Sequence, residues 1–398
     1  MNEVKPNVPK LRFPGFTDPW EQRKFGELYE KNLERNTCGF GADRTLSAAT
    51  MTFNEGGNGA DETSLPTYKV VRVGDVAFEG HASKEFAYGR FVVNNLADGI
   101  MSPRFPCLRP KHNYPISFWR YYIHNERVMR RILVRATKKG TMMNELVPDD
   151  LFVQSIPVPS CAEQDAIGRL LSSFDDLITL HQRKLSDLKM KKRGLLQKMF
   201  PRDGADVPEI RFPGFTDPWE QRKLGELFAE SSERASDREI LSVSVNDGIY
   251  PASESDRDAN PGASLTNYKV VHVGDVVYNS MRMWQGAVDS SRYEGIVSPA
   301  YVVARPKPCA HPRFASRLIR QPEMLAIYKR MSQGNSKDTQ VLKFEEFAKI
   351  VAHVPQASDE QAAVAAVFDD LDSLITLHQR KLDHLKLQKK ALLQQMFV

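Results

Sequence analysis

The sequence predicts an α+β fold built from two homologous mixed α/β domains and two long helices. Two observations carry this prediction. Long segments occur twice in the chain at a nearly constant spacing, and each copy ends in a helical segment with a seven-residue apolar repeat. The repeated segments are Arg12–Lys24 with Arg211–Lys223, Tyr68–Val76 with Tyr268–Val276, and Leu177–Leu185 with Leu374–Leu382.

The copies are offset by 199, 200 and 197 residues. Solenoid repeats span about 20–50 residues, so this repeat is instead a duplicated domain with its connector. Two related copies in one chain indicate two related ligand sites. We predict four parts: a leading segment with the first domain at 1–160, a long helix at 161–203, a second leading segment and domain at 204–357, and a second long helix at 358–398.

Each copy opens with a short segment rich in proline and glycine, at 11–28 and 210–227. Pro14-Gly15 and Asp18-Pro19 are turn signals, which predicts a folded-over loop leading into a short helix. Next comes a mixed α+β region, in which Val-rich runs broken by Gly-Asp, as at Gly74-Asp75, predict strand, turn and strand. Helical patches are expected at 117–136 and 312–331. We interpret Gly74-Asp75 and Gly274-Asp275 as turns rather than metal ligands.

The clearest structural signal is the proline-free stretch from Glu163 to Phe200, which would span about 54 Å as a helix. A single helix cannot bury its apolar stripe alone, so we expect the two copies to pair as an antiparallel coiled coil. The chain would then be pseudo-two-fold symmetric and nearly circular. His181 and His378 are expected to be buried polar residues that set the register. The predicted seam comprises Phe174, Ile178, His181, Leu185, Leu188, Leu195, Met199, Leu371, Ile375, His378, Leu382, Leu385, Leu392 and Met396.

Composition sets broad limits on function. The net charge of +5 and pI of about 8.8 are compatible with a polyanionic partner. No apolar run approaches the ~20 residues of a membrane span, and the N-terminus lacks the apolar segment of a signal peptide. We therefore expect a soluble cytoplasmic protein. The cysteines form no C-x-x-C pair, which predicts reduced thiols and no metal cluster; they are Cys38, Cys107, Cys161 and Cys309.

Motifs of the common catalytic classes are absent from the sequence. It contains no phosphate-binding loop, dinucleotide fingerprint, H-E-x-x-H or G-x-S-x-G, and no Asn-Pro-Pro-aromatic motif of amino-methyltransferases. We therefore predict a non-catalytic binding protein, with no catalytic residue, cofactor or metal site in this chain.

Comparison of the two copies locates the candidate binding residues. The loops after the repeated strand diverge, as do the basic segments at 135–141 and 329–337. Arg, Lys, Asn and Gln on loops are the residue types that contact phosphates and base edges, although solvated surface loops would have the same composition. The candidates are Lys84, Arg90, Arg104, Lys138, Lys139 and Thr141 in the first copy, and Arg282, Trp284, Gln285, Arg292, Asn335, Lys337 and Gln340 in the second.

The order of these parts resembles the specificity subunit of type I restriction–modification systems. The resemblance covers essentially the whole chain. It rests on two variable domains, each followed by a long helix that opens with Glu-Gln and closes with Leu-Leu-x-x-Met-Phe. The matching residues are Glu163-Gln164 with Leu195–Phe200, and Glu360-Gln361 with Leu392–Phe397.

The resemblance implies that each domain is a target recognition domain reading one half of a bipartite, asymmetric site in double-stranded DNA. It implies that the helices set the spacer and dock two modification subunits, which carry adenine-N6 methyltransferase activity and bind S-adenosylmethionine. Restriction subunits would supply ATP- and Mg-dependent translocation and cleavage. A ~54 Å helix corresponds to about 16 base pairs, a plausible distance between two half-sites.

Two other interpretations stay open at this point. The chain could be a coiled-coil scaffold whose two globular domains bind proteins, in which case it would not bind duplex DNA. It could also be an enzyme with an unrecognised site.

Overall fold

The computed structural model describes residues 7–54, 59, 61–202, 204–245, 248–254, 265–332 and 341–398. The chain divides into two compact units. Unit 1 comprises residues 1–182 and 380–398, and unit 2 comprises residues 183–379. Each long helix therefore contributes one half to each unit, whereas the four-part division predicted above assigned each helix to a part of its own.

Unit 1 is built around a four-stranded antiparallel sheet of order β2-β7-β4-β5. Strand β3 pairs with β6, β8 forms a hairpin with β9, and β1 pairs with β10. The strands are β1 Glu21–Lys24, β2 Tyr29–Lys31, β3 Lys69–Val71, β4 Val76–Glu79, β5 Arg90–Val93, β6 Gly99–Met101, β7 Cys107–Pro110, β8 Thr137–Lys139, β9 Asn144–Leu146 and β10 Ser155–Val158; the helices are α1 Phe25–Leu28, α2 Ile116–Tyr122, α3 Glu126–Ala136, α4 Pro148–Phe152 and the first half of α5 Cys161–Lys198.

Unit 2 repeats this topology, with a four-stranded sheet of order β12-β19-β16-β17 and the pairs β15–β18 and β11–β20. It adds a hairpin of β13 and β14. The strands are β11 Glu220–Lys223, β12 Phe228–Glu230, β13 Leu241–Ser244, β14 Gly248–Pro251, β15 Lys269–Val271, β16 Val276–Asn279, β17 Val288–Ser290, β18 Gly295–Val297, β19 Tyr301–Pro306 and β20 Val351–Val354; the helices are α6 Leu224–Leu227, α7 Pro312–Leu318, α8 Pro322–Met331, α9 Phe344–Lys349 and α10 Ser358–Gln395.

The predicted strand, turn and strand around Gly-Asp are confirmed in both units. Gly74 and Gly274 both have a φ of +95°, a left-handed conformation that side chains rarely adopt. The turn leads into an inner strand of each sheet, which is fully buried in β4 and buried at all but its last residue in β16. The predicted turn at each Gly is therefore correct.

Of two predictions about the segment after the sheet, one is confirmed and one is wrong. The predicted helical patches at 117–136 and 312–331 are helical, and each consists of two helices. In unit 1 the second helix starts anew because the Asn125 side chain caps it by accepting from the Arg127 N–H, and in unit 2 it starts at Pro322, which supplies the first helical position. Lys138 and Lys139 lie in strand β8, not in a loop, because β8 pairs with β9.

The leading segment is fastened to the long helix of its own unit. In unit 1 the Arg12 guanidinium donates to both carboxylate oxygens of Glu163, at 2.6 and 2.8 Å. In unit 2, Arg211 makes the same bidentate pair with Glu360 at 2.7 and 2.8 Å. Both carboxylates are almost fully buried, which explains the acidic residue of the Glu-Gln motif.

The long helices run antiparallel within each unit. In unit 1, Asp175 of α5 pairs with Lys389 of α10, while His181 of α5 shares a shallow cleft with Lys381. In unit 2, Lys192 pairs with Asp372. The order of the contacts along the two helices is therefore reversed.

Burial along the helices agrees with the predicted seam. Every seam residue is buried or half-buried, whereas neighbouring positions such as Thr179, Leu180 and Gln182 are exposed. His181 and His378 are half-buried. Their effect on the register stays a prediction.

Candidate nucleic-acid interface

The loop between β4 and β5 carries Lys84 at its tip. The Ser83 N–H donates to the Phe86 carbonyl at 2.9 Å, and the Phe86 N–H donates to the Ser83 hydroxyl at 3.0 Å. These two bonds close a tight turn and leave Lys84 exposed. The side chain is therefore presented by a fixed backbone and is free to meet a ligand.

The β8–β9 hairpin is held against this loop by Asn144. Its N–H donates to the Gly80 carbonyl at 2.9 Å, and its side-chain amide donates to the Ala87 carbonyl at 3.4 Å. A Cβ added at Gly80 would lie 2.0 Å from the Asn144 carbonyl oxygen, so only glycine allows this approach. The loop of Lys84 and the hairpin that carries Lys138, Lys139 and Thr141 thus form one surface.

A third loop, between β6 and β7, adds Arg104 to the same surface. Arg104 and Thr141 line one depression of about 440 Å³, together with Met142 and Met143. The exposed candidates Lys84, Lys138 and Lys139 lie on the loop and hairpin around it. We call these three segments, 80–89, 102–106 and 137–146, the loop surface of unit 1.

Arg90 is placed differently from the other candidates of unit 1. It is half-buried, its guanidinium lies 3.5 Å from the buried Glu79, and it stacks at 5.1 Å over the Phe86 ring. These contacts are internal. They make Arg90 a support of the Lys84 loop in this structure.

Unit 2 builds an equivalent surface with different residues. The Leu342 N–H donates to the Ser280 carbonyl at 2.9 Å, as Asn144 does to Gly80 in unit 1. The loop after β16 exposes Arg282 and Gln285. The candidates Asn335, Lys337 and Gln340 lie outside the described residues.

Trp284 is the only large aromatic residue in the loop after β16. It is half-buried and packs against the core of unit 2, its indole N–H donates to the Met281 carbonyl at 3.2 Å, and the Lys329 ammonium lies 5.9 Å from its ring. Trp284 therefore anchors the loop that presents Arg282 and Gln285.

A buried carboxylate supports each sheet beneath these loops. Asp75 accepts hydrogen bonds from the Arg72 N–H at 2.8 Å, the Asn32 amide at 2.9 Å and the Arg109 guanidinium at 2.8 Å. Burial raises the pKa of Asp75, and the pair with Arg109 opposes that rise. Asp275 pairs in the same way with Arg305. The sequence interpretation of Asp75 as a turn residue missed this role, although the same residue in both copies was a signal for it.

A second surface in unit 2 is a cleft of about 710 Å³, which we call the basic cleft. Its basic side chains come from the end of α5, the segment after β17 and the α7 region. Arg292 was among the predicted contact residues, and the other six basic residues were not. The lining includes seven basic and two acidic side chains, namely Lys192, Arg193, Arg202, Arg292, Arg313, Arg317 and Arg320 with Asp289 and Asp372.

Three of these arginines could have been found from the sequence. Arg313, Arg317 and Arg320 are spaced by four and three residues, which places them on one face of a helical segment. The corresponding segment of the first copy, 117–124, holds one arginine.

Unit 1 has a cleft of about 490 Å³ at the equivalent place, which we call the polar cleft. The equivalence follows from the shared ion pair, because Asp175 and Lys389 line the polar cleft as Asp372 and Lys192 line the basic one. The rest of its lining is Ala49, Thr50, Val92, Val93, Asn95, Arg120, Tyr121, His124, Asn125 and Leu393.

The charges of the polar cleft are mostly satisfied internally. Asp175 pairs with Lys389 and with Arg120 at 3.3 Å, and it accepts the Tyr121 hydroxyl hydrogen bond. Burial and this carboxylate raise the pKa of Tyr121 to about 12. Burial lowers the pKa of His124, whose Nδ1 lies 2.8 Å from the Phe91 carbonyl oxygen, so its ring is neutral at pH 7.

The chain is similar to known proteins in sequence and in structure. No family model matches the sequence. A curated relative, the putative type I restriction enzyme MjaX specificity subunit of Methanocaldococcus jannaschii, is 22% identical over 238 residues. That match covers 55% of this chain and 55% of the relative, so the chain spans about half the length of the curated relative it matches.

Among solved structures, the S subunit of a type I restriction–modification system from M. genitalium superposes with a TM-score of 0.60. The identity is 13%, and the match covers 98% of this chain and 99% of that one. The chain has the fold of a type I S subunit. The HsdS subunit from Thermoanaerobacter tengcongensis also matches, with a TM-score of 0.47, 17% identity and 100% and 99% of the two chains covered. The resemblance to type I specificity subunits stated from the sequence is thus confirmed.

The described residues contain neither a cluster of metal-binding side chains nor a helix suited to a membrane. No group of three or more His, Cys, Asp or Glu side chains there is arranged to hold a metal ion. None of the helices in that part of the chain is long and apolar enough to cross a membrane.

Proposed function

We propose that this chain is the DNA-recognition subunit of a type I restriction–modification complex, and that unit 1 and unit 2 each read one half of a bipartite, asymmetric target. The observation that carries the proposal is a scaffold present twice with different loops. Asn144 and Leu342 make the same hydrogen bond to the loop after the central strand, yet one loop presents Lys84 and the other Arg282. A shared scaffold with unlike contact residues suits two unlike half-sites.

The long helices are proposed to form an antiparallel coiled coil in a nearly circular, pseudo-two-fold molecule, and so to fix the spacer between the half-sites. The ion pairs within each unit support this. The pairs Asp175–Lys389 and Lys192–Asp372 both join residues whose numbers sum to 564, as expected for one uninterrupted antiparallel register.

The same helices are proposed to dock two modification subunits. Apolar side chains that contribute nothing to the seam are exposed at equivalent places in both units. They are Leu177, Leu180 and Leu387 in unit 1, and Leu374, Leu377 and Met190 in unit 2. Repeated exposed leucines on a helix pair are typical of a protein interaction surface. One such surface in each unit fits two copies of one partner.

In this proposal the chain is not an enzyme by itself and needs no cofactor. The modification subunits would bind S-adenosylmethionine and methylate adenine. Restriction subunits would bring ATP- and Mg-dependent translocation and cleavage to the complex.

A domain exchange tests the proposal. Residues 28–157 would be replaced by the corresponding domain of another type I specificity subunit, and N6-methyladenine would be mapped across the genome of cells that express the neighbouring methyltransferase. We expect one half of the methylated split motif to change and the other half to persist. A motif in which both halves change, or neither, would contradict the assignment of one half-site to each unit.

The matched control is the exchange of residues 228–354 in unit 2, for which we expect the complementary half to change. Cells without the chain should lose the split motif altogether. Persistence of the motif in those cells would contradict a recognition role, and the protein-binding scaffold would then be the better interpretation.

A further inference from the structure

We infer that the basic cleft of unit 2 binds the phosphate backbone of the DNA duplex beside the half-site that this unit reads, and that the polar cleft of unit 1 does not. The inference rests on the proposed function. Beyond that function, we infer that the two units contribute unequally to the electrostatic part of DNA binding. The salt dependence of DNA binding would then come mainly from unit 2.

The first argument is the charge that the basic cleft leaves uncompensated. Seven basic and two acidic side chains line it. Two further carboxylates contact the lining residues: Asp369 lies 3.2 Å from Arg317 and 3.9 Å from Arg313, and Glu323 lies 3.7 Å from Arg202. Even with these four carboxylates the cleft keeps an excess of three positive charges, which favours a polyanion.

The second argument is the state of the individual arginines. Within the described part of the chain, Arg292 and Arg193 are exposed and form no ion pair. Arg320 donates one hydrogen bond to the Val245 carbonyl at 3.1 Å and lies 3.9 Å from Asp289, beyond hydrogen-bond distance. The guanidinium groups of Arg292 and Arg193 can each donate two hydrogen bonds to a phosphate, which Arg does better than Lys because of its planar fork. Arg320 keeps further N–H donors for the same purpose.

The third argument is the exchange of residue types at equivalent places. At the position equivalent to Asn95 of unit 1, unit 2 has Arg292. Arg317 pairs with Asp372 at 2.6 Å, as Arg120 pairs with Asp175 in unit 1, and so adds no unpaired charge. Arg320 takes the place of His124, whose ring is neutral at pH 7. The carboxylate that joins the two helices is therefore kept, and the positions of Arg292 and Arg320 change from neutral to cationic. The positive charge added at these two positions is therefore available for binding a ligand and is not needed to hold the two helices together.

The test replaces two cleft arginines by the residues of unit 1, as the double variant Arg292→Asn and Arg320→His in the full chain. Binding to a duplex that carries the mapped target is titrated between about 50 and 300 mM salt. Each phosphate contact contributes about 0.9 to the slope of log K against log salt, and a factor of about five to the affinity at ~0.15 M salt. We expect the slope to fall by about 1.8 and the affinity by roughly 25-fold, with similar losses on duplexes of unrelated sequence.

Two further variants control the measurement. The double variant Lys223→Gln and Lys349→Gln removes two exposed charges of unit 2 outside the cleft, and we expect it to leave the slope unchanged. The double variant Asn95→Arg and His124→Arg places the cations in the polar cleft, and we expect the slope to increase. Circular dichroism and thermal melting confirm that each variant is folded.

The outcomes separate the inference from the proposed function. If wild type binds duplex DNA and the cleft variant keeps the wild-type slope, the inference is wrong and the proposed function stands. If the cleft variant keeps the slope but loses affinity for the modification subunit, the cleft is a site for an acidic protein surface, which also overturns the inference. If wild type shows no duplex binding at any salt concentration, the proposed function itself fails.

Discussion

In unit 1, Arg12 pairs with Glu163 at the start of α5, and in unit 2, Arg211 pairs with Glu360 at the start of α10, with nearly the same distances. The loops that follow the central strands receive an equivalent backbone hydrogen bond but otherwise differ, since a β-hairpin flanks one and Trp284 anchors the other. Residues that hold the helix to the domain are therefore the same in both units, and residues that face outward differ. Positions that are the same in both units are therefore those that the fold needs, and positions that differ are those that can give each unit its own binding specificity.

The leading-segment tryptophans give the largest expected effect on stability. Trp20 packs edge-on against Phe118 and Tyr122, and Trp219 packs edge-on against Phe314. Both are at most 3% exposed. We expect Trp20→Ala and Trp219→Ala each to lower the free energy of unfolding by about 3–5 kcal/mol. Urea denaturation measures the loss, and hydrogen exchange should localise it to the unit that carries the substitution.

Substitution by phenylalanine sharpens this comparison. The Trp219 indole N–H donates to the Glu360 carboxylate at 3.1 Å, whereas the Trp20 N–H has no hydrogen-bond partner in the described ranges. A hydrogen bond to a charged group contributes about 1.5–3 kcal/mol. We expect Trp219→Phe to cost more than Trp20→Phe by roughly this amount. Equal losses of stability in the two variants would mean that the hydrogen bond from Trp219 to Glu360 does not contribute to folding.

Much of the scaffold could be predicted from the sequence. Repetition of Trp20, Gly74 and all but one position of the helical seam marked positions that both units need, and periodicity indicated the long helices. The break between α2 and α3 could not be predicted with the same ease, because it depends on a cap at Asn125 within a continuous apolar pattern. The hairpin of Lys138 was missed because its strand pairing joins a short polar segment to residues beyond the turn.

The candidate site was predicted less completely than the fold. Loop position and residue type led to Lys84, Arg104 and Arg282, which the structure places on exposed loops. The same criteria led to Arg90, which is held by Glu79. Apart from Arg292, they did not lead to the residues of the basic cleft, because its walls come from α5, α7 and the segment after β17, and only the tertiary fold brings these together.

Substitution of Arg282 tests whether the loop after β16 contacts only one half of the DNA target. Its side chain is exposed beside the anchored Trp284, and a direct contact of arginine with a base edge is worth about 1–3 kcal/mol. We expect Arg282→Ala to weaken binding to the target duplex about tenfold or more, and to relax specificity in only one half of the motif. Affinity for the modification subunit should not change. Loss of docking with unchanged DNA affinity would place Arg282 in the scaffold instead.

The smallest expected effect concerns the one substitution in the repeated strand segment. Arg72 of unit 1 pairs with Glu34 and Asp98, whereas His272 of unit 2 lies 3.0 Å from Glu233 and 2.9 Å from Glu294. Arginine stays charged at every pH at which the protein is folded. Histidine does not, so the same connection is sensitive to pH in unit 2 alone.

The sign of this dependence follows from the pKa of His272, which the hydrogen bonds to Glu233 and then to Glu294 raise above its usual value near 6.5. Because the pKa of His272 is higher in the folded than in the unfolded state, protonation of His272 stabilises the fold. This contribution is fully present below about pH 6.5 and is lost as the pH rises through the pKa of the folded state. Arg305 and Arg238 also pair with these carboxylates, at 3.4 and 3.5 Å, and keep part of the network at high pH.

We therefore expect His272→Arg to leave the melting temperature unchanged near pH 6 and to raise it by about 1–2 °C near pH 8, because exposed ion pairs contribute little. The matched variant is Arg72→His, which should lower the melting temperature near pH 8 and not near pH 6. Thermal melts of both variants across this range measure the effect. A shift of His272→Arg that is the same at both pH values would mean that protonation of His272 does not connect these strands, and that the substitution acts only through the shape of the side chain.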